Sequence, residues 1–361
     1  VVQVVGNDCA FAAVKSDGSV ITWGAADDGG DSSRVEHRLQ EGVVQVVGND
    51  CAFAAVKSDG SVITWGAANK GGDSSRVERR LQEGVVQVVG NVCAFAAVKS
   101  DGSVITWGAA NYGGDSSRVE HRLQEGVVQV VGNSIAFAAV KSDGSVITWG
   151  AADHGGDSSR VEHRLQEGVV QVVGNCHAFA AVKSDGSVIT WGFADLGGDS
   201  SRVEHRLQEG VVQVVGSCFA FAAVKSDGSV ITWGDSGFGG DSSRVEHRLQ
   251  EDVVHVVGNR FAFAAVKSDG SVITWGFAYH GGDSSRVAHR LQGVVQVVGN
   301  SSAFAAVKSD GSVITWGRSD YGGDSSRVEH RLQEGVVQVV GNSSAFAAVK
   351  SDGSVITWGA A

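Results

Sequence analysis

Serine, histidine and aspartate sit close together in the stretch Asp31, Ser32, Ser33 and His37 of this 361-residue chain. A nucleophile, a base and an orienting acid are the parts of acyl-transfer chemistry, which needs one placed serine with its base in hydrogen-bond reach. The same set returns down the chain, at Asp115, Ser116, Ser117 and His121 and again at Asp157, Ser158, Ser159 and His163. No one set is distinguished, so the expectation is a chain that is not an enzyme and needs no cofactor. The histidines of this series (His37, His121, His163, His205, His247, His289 and His330) are spread one to a repeat, with no second ligand near any of them to hold a metal. His255 differs: it stands where Gln3 and Gln45 have their counterparts, and could tune a ring of inner-strand side chains. Gly29-Gly30-Asp31-Ser32-Ser33 is rich enough in glycine to form an anion nest, but Asp31 would repel a phosphate and no lysine follows at the Walker position. The five cysteines (Cys9, Cys51, Cys93, Cys176 and Cys218) are odd in number and have no closely spaced pair, so they read as free thiols.

These residues recur because the chain is one unit copied. Copies begin at Val1, Val43, Val85, Val127, Val169, Val211, Val253, Val294 and Val336, giving nine segments: 1–42, 43–84, 85–126, 127–168, 169–210, 211–252, 253–293, 294–335 and 336–361. A fixed period of this kind marks a unit that cannot bury its apolar faces alone and stacks on its neighbours, so residues 1–361 form one repeat domain.

Within the first copy, Val1 to Val5 is a β-branched run ended by Gly6, as expected of a strand buried on both faces. A second strand runs from Phe11 to Val14 and a third from Val20 to Trp23, joined by Lys15-Ser16-Asp17-Gly18-Ser19, whose Asp-Gly is a strong hairpin signal. The stretch 33–40 has two readings. Ser33 and Glu36 have capping-box spacing and Gly42 suits an αL stop, which favours a two-turn helix, while alternation of Val35, His37 and Leu39 fits a fourth, outer strand. Three antiparallel strands per copy at this period suit the blades of a propeller. The expected fold is therefore all-β with short linking helices, a nine-repeat β-propeller closed into a ring, with an open spiral cut from a longer array as the alternative. The nine tryptophans, one per copy from Trp23 to Trp358, are expected in its core.

The run VVQVVGN…FAAVKSDGSVITWG…GG, matched with small changes along every copy, resembles the repeat of the regulator of chromosome condensation family, whose units read ALxxDGxVxxWGxNxxGQLG. The resemblance implies a β-propeller and no particular function, because the family includes a nucleotide exchange factor, HERC-type ubiquitin ligases, a plant ultraviolet-B photoreceptor and a secreted β-lactamase inhibitor. The chain departs from the pattern at Ala10, where the family usually has histidine, and at Gly30-Asp31-Ser32, where it has Gln-Leu-Gly. The photoreceptor's Gly-Trp-Arg-His-Thr pattern is absent, and most members have seven blades rather than nine.

Comparing the copies with one another confines variation largely to two windows. One is the pair before the second strand, from Asp8-Cys9 to Ser343-Ser344; the other is the four residues after Trp-Gly, from Ala25-Ala26-Asp27-Asp28 to Arg318-Ser319-Asp320-Tyr321. Strand parity places both at one edge and the invariant KSDGS hairpin at the other. The three tyrosines, the five cysteines and the five phenylalanines outside the repeat all fall in these windows. Aromatics are the anchors of interfaces rather than the residues of relaxed loops. The expected partner-binding residues are Tyr112, Phe193, Leu196, Phe219, Phe238, Arg260, Phe261, Phe277, Tyr279, Arg318 and Tyr321, concentrated in copies five to eight; copies one and two offer Asp8, Asp27, Asp28, Asp50 and Lys70 instead.

A net charge of −11, with Lys15, Arg34 and Arg38 interleaved among Asp17, Asp31, Glu36 and Glu41, argues against a nucleic-acid partner. No apolar run reaches membrane-span length. The expectation is a protein-binding scaffold using the variable edge, with a glycan-binding propeller or an end-to-end structural array as alternatives. The chain begins without methionine and in register with its own repeat, and location in the cell is not read from it.

Overall fold

The computed structural model describes residues 1–360. Every copy folds into a three-stranded antiparallel sheet whose strands lie in chain order, nine sheets in all, and the described residues contain no α-helix. In the second copy the strands are Val43–Gly48, Ala52–Lys57 and Val62–Gly66. Phe53 stands opposite Trp65 and Ala52 opposite Gly66. The Asp-Gly hairpin forms as the sequence predicts: Gly18 takes φ 77°, and Asp17 Oδ1 accepts from both the backbone N–H and the hydroxyl of Ser19 at 2.9 and 2.7 Å. Those two bonds hold the Asp17 carboxyl below the usual aspartate range.

The sheets group into two compact units, Val1–Ala181 with Trp191–Phe193, and Val182–Thr190 with Ala194–Ala361. Within each, successive copies pack face to face by one rule. Ala10, Ala12, Val14, Val20 and Leu39 of the first copy enclose Phe53, Ala55, Ile63 and Trp65 of the second. In the second unit Ala220, Ala222, Val224, Val230 and Leu249 enclose Phe263, Ala265, Ile273 and Trp275 in the same way. The middle strand thus shows two alanines and a valine to the following copy and its phenylalanine and remaining alanine to the preceding one, so a small face meets a large one. Phe53 and Trp65 stack at 5.4 Å, and the Trp65 indole Nε1–H donates to Gly29 O of the preceding copy at 3.0 Å. A side chain on Gly29 would begin 2.6 Å from the Phe53 ring, and the residue sits at φ 99°, so only glycine serves there.

Three expectations are corrected. Residues 33–40 form neither a two-turn helix nor a fourth strand: only Glu36–Arg38 turns, as a single 3₁₀ turn without a side-chain cap. Asp31 Oδ1 instead accepts from Ser33 N at 2.8 Å, and Leu39 is drawn into the core while its carbonyl accepts from Val20 N at 2.9 Å. One bond to the third strand is too little for a ladder, and a buried leucine fixed immediately after the turn leaves no length for a helix. The first strand is not buried on both faces: Val43 and Val46 are buried, but Val44 is 60 % exposed. Cys176 and Cys218 are disulfide-bonded, whereas Cys9, Cys51 and Cys93 are free. Close spacing along the chain is the wrong test in a repeat, because the same loop of successive copies lies side by side, as where Cys218 N–H donates to Arg260 O at 3.0 Å.

In the first unit the opening sheet shows its large face to solvent: Phe11, Ile21 and Trp23 are 42, 48 and 44 % exposed, while Phe53, Ile63 and Trp65 are buried. In the second unit Val355 of the final sheet is exposed on the small face. The difference makes the packing rule measurable. Phe137→Ala, at a fully buried position, is expected to cost about 3–5 kcal/mol, and Phe11→Ala about 1–2 kcal/mol while its face is open, read from denaturant midpoints followed by tryptophan emission; a loss at Phe137 of only about 1–2 kcal/mol would contradict the rule. Asp252 holds φ 65° where the other copies have glycine, so Asp252→Gly should raise stability by about 1 kcal/mol in the same measurement.

Candidate functional site

The ladder brings the variable windows together. Ala10 pairs with Gly24, so the residues just before one and just after the other emerge side by side, and Ala25 N–H donates to Cys9 O at 2.9 Å. The second window is a 3₁₀ turn, Ala26–Asp28, closed by Gly29 in the left-handed region. An asparagine before the first window ties the two. Asn7 Oδ1 accepts from Cys9 N and Ala10 N at 2.9 and 2.6 Å, and its Nδ2 donates to Asp28 O at 2.7 Å. Asn91 reaches Tyr112 O, Asn259 reaches His280 O and Asn300 reaches Tyr321 O in the same way. This clamp uses only main-chain atoms of the windows, so their side chains are free to change. Successive windows also join laterally, through Val92 N–H to Ser134 O at 3.2 Å in the first unit and Ser301 N–H to Ser343 O at 3.3 Å in the second.

In the first unit most window side chains are polar or only partly available, exposed Phe193 excepted. Tyr112 is half-buried and, like Val89 and Val119, packs against the buried cluster that contains Phe137 and Trp149. Phe193 is 41 % exposed and lies 6.1 Å from His154, whose ring is 5.0 Å from His177 and whose Nδ1 is 2.9 Å from Asp153 Oδ1. Lys70 Nζ donates to Cys51 Sγ at 3.2 Å, and burial pushes the Cys51 and Cys93 thiols up. Asp8 and Asp27 are exposed.

The second unit gathers most of the remaining expected residues into one ridge. Phe219 lies 4.6 Å from Phe238 and 6.0 Å from Phe261, and Phe238 lies 5.7 Å from Phe277. His280, which sequence reasoning did not select, is the hub beyond them, 4.3 Å from Phe261, 5.2 Å from Phe277 and 5.5 Å from Tyr279. Arg318 then bridges Tyr279 and Tyr321 at 6.0 and 4.5 Å, and Arg260 stands 5.8 Å from the Phe261 ring. Phe277 and Tyr279 are the open members, 43 and 61 % exposed; the others are half-buried apart from exposed Arg260. Leu196 is half-buried. His280 was missed because a histidine in a variable loop looks solvated; Phe277 and Tyr279 beside it in sequence were the available signal, and Phe261 is brought alongside by the pairing of Ala262 with Gly276.

Elsewhere, the invariant linkers leave a polar groove between successive copies. In the first unit one such groove of about 540 Å³ is lined by Asp115, Arg118, Arg122, Trp149, Asp157 and Glu162, with Arg122 and Glu162 paired at 3.2 Å across it. Equivalent residues line a groove of about 660 Å³ in the second unit. Among the described residues no group of three or more His, Cys, Asp and Glu is placed to hold a metal, and no helix is long and apolar enough to cross a membrane.

No family model matches the sequence, and no curated protein matches it. Among solved structures, human WBSCR16 aligns at 17 % identity over 74 % of this chain and 87 % of its own, with a TM-score of 0.43. Prp20p from Saccharomyces cerevisiae aligns at 13 % identity over 87 % and 82 %, with a TM-score of 0.42. The computationally designed Ika8 protein aligns at 15 % over 88 % and 96 %, with a TM-score of 0.39. The nine sheets themselves, rather than likenesses at this level, carry the statement of fold.

His280 gives the ridge a pH dependence. Burial first, and then the Arg318 charge, lower its pKa below the ordinary histidine value of 6.5, against a smaller opposing pull from Asp320. Its Nδ1 is buried without a hydrogen-bond partner. The folded form therefore binds the proton less readily than the unfolded one, and the stability contributed by neutral His280 is lost as pH falls below 6.5. The melting temperature is expected to drop more between pH 7.5 and 5.5 for the unmodified chain than for His280→Phe; equal drops would contradict this.

Proposed function

We propose that the chain is a non-enzymatic β-propeller scaffold that binds a protein through its variable edge, with the ridge from Phe219 to Tyr321 as the main contact. The continuous run of ring contacts across copies six to eight is the observation that carries this reading. Interface hot spots are rich in aromatic residues and arginine and sit together in one patch, and exposed apolar side chains that cluster in this way cost solubility unless something covers them. The surrounding fold is the same in every copy, so a difference confined to one arc is what recognition of a single asymmetric partner requires. The expected glycan alternative keeps one observation in its favour, the groove that returns between successive linkers, since like sites at a regular spacing suit a repeating ligand.

Two experiments separate these readings. Replacing Phe193, Phe219, Phe238, Phe261, Phe277 and Tyr279 with serine should abolish partner recovery in a pull-down from the native source, and unchanged recovery would sink the protein-binding reading. Arg118→Ala together with Arg122→Ala should leave that recovery intact; loss there, with retention in the serine variant, would favour the linker grooves. Closure of the nine blades into a ring is a separate proposal, in which Phe11, Ile21, Trp23 and Val355 become buried. Low-resolution particle images should then show a nine-lobed ring, and an open arc would overturn it.

A further inference from the structure

The variable windows carry three cationic side chains in all, Lys70, Arg260 and Arg318. Lys70 Nζ donates to Cys51. Arg318 Nε and Nη2 each donate to Asp320 at 2.8 Å, a fork-to-fork pair that turns its donors back onto its own loop. Arg260 alone is exposed with no ion pair and no side-chain hydrogen bond among the described residues, its guanidinium resting 5.8 Å from the Phe261 ring. Aspartates of the ridge are already engaged: Asp235 Oδ1 accepts from Gly237 N at 2.8 Å, and Asp320 is held by Arg318. The ridge therefore presents one unsatisfied cation beside open aromatic surface, with no unengaged carboxylate in the same windows to compete for it.

We propose, resting on the protein-binding reading above, that the partner is an acidic apolar peptide segment, whose apolar side chain covers Phe277 and Tyr279 while a neighbouring carboxylate accepts hydrogen bonds from Arg260. A guanidinium held against an aromatic face keeps its edge donors outward, in the planar fork that a carboxylate matches with both oxygens. Apolar contact alongside excludes water and strengthens that pair. The charge pattern also rejects the opposite sign. A cationic segment would meet carboxylates on the linkers of every copy and find nothing particular to this arc, whereas on a chain of net charge −11 an acidic segment is repelled nearly everywhere else.

The test is calorimetric titration of the full chain with three synthetic peptides that share a Leu-Trp-Leu core and carry flanking glutamates, serines or lysines. The glutamate peptide should bind most tightly and the lysine peptide least. Arg260→Glu should weaken the glutamate peptide on the order of tenfold and leave the serine peptide unchanged; the site is exposed, and an unaltered tryptophan emission spectrum confirms that the variant folds. Phe277→Ser with Tyr279→Ser should weaken all three. Lysine and glutamate peptides binding equally, or Arg260→Glu leaving the glutamate peptide unaffected, would overturn the acidic preference while the apolar contact stands. Binding of all three that is unmoved by Phe277→Ser with Tyr279→Ser, or no binding by any of them, would overturn this inference together with the ridge as the contact surface.

Discussion

The meeting of a small face with a large one is the constraint from which the rest of this structure follows. Phe53, Ile63 and Trp65 project from one copy into the alanine-lined face of the copy before it, and the Trp65 indole closes the contact by donating to Gly29 O. Buried indole N–H groups need an acceptor, and the loop carbonyl provides one without any side chain. The glycine that offers it has no room for a Cβ against Phe53. One interface therefore fixes the alanines, the phenylalanine, the tryptophan and the glycine pair together, and none can drift without a matching change in the adjacent copy. This accounts for the sameness of the packed residues without any appeal to function.

Freedom at the edge is the complement of that rigidity. The windows are held by the Asn7-type clamp and by main-chain bonds such as Ala25 N–H to Cys9 O, so their side chains are not part of the packing rule. Loops positioned by a rigid scaffold are where binding residues accumulate. In the second unit that freedom has produced a ridge whose rings touch one another from Phe219 to Tyr279, with Arg318 bridging on to Tyr321. In the first unit the same positions hold aspartates, a lysine and free thiols. Tyr112 and Tyr321 both lean against core residues, which makes them supports of the edge as much as parts of its surface.

Much of this was legible in the sequence because it is set by local pattern. Alternation and the Asp-Gly turn gave the strands to within a residue or so of Ala10–Val14 and Val20–Gly24, and strand parity put the windows on one edge. What stayed hidden depends on neighbours that the local pattern does not name. Ser33 and Glu36 have the spacing of a helix cap, yet burial of Leu39 and the Asp31 turn decide the stretch. Val1 to Val5 looks like a strand covered on both faces, but its copies leave one valine face open. The disulfide-bonded state of Cys176 and Cys218 leaves no mark in the local pattern, and His280 meets Phe261 only because strand pairing brings the two windows of one copy together.

Hydrogen exchange of the tryptophan indoles tests the packing rule most directly. Trp65, Trp107, Trp149, Trp191, Trp233, Trp275, Trp316 and Trp358 each donate to a carbonyl of the preceding copy, while Trp23 is 44 % exposed. In a ¹⁵N-labelled sample the account predicts slow exchange for those eight Nε1–H groups, with Trp23 exchanging fast in an open arc and slowly in the proposed closed ring. Fast exchange across all nine would contradict the interface on which the whole arrangement depends.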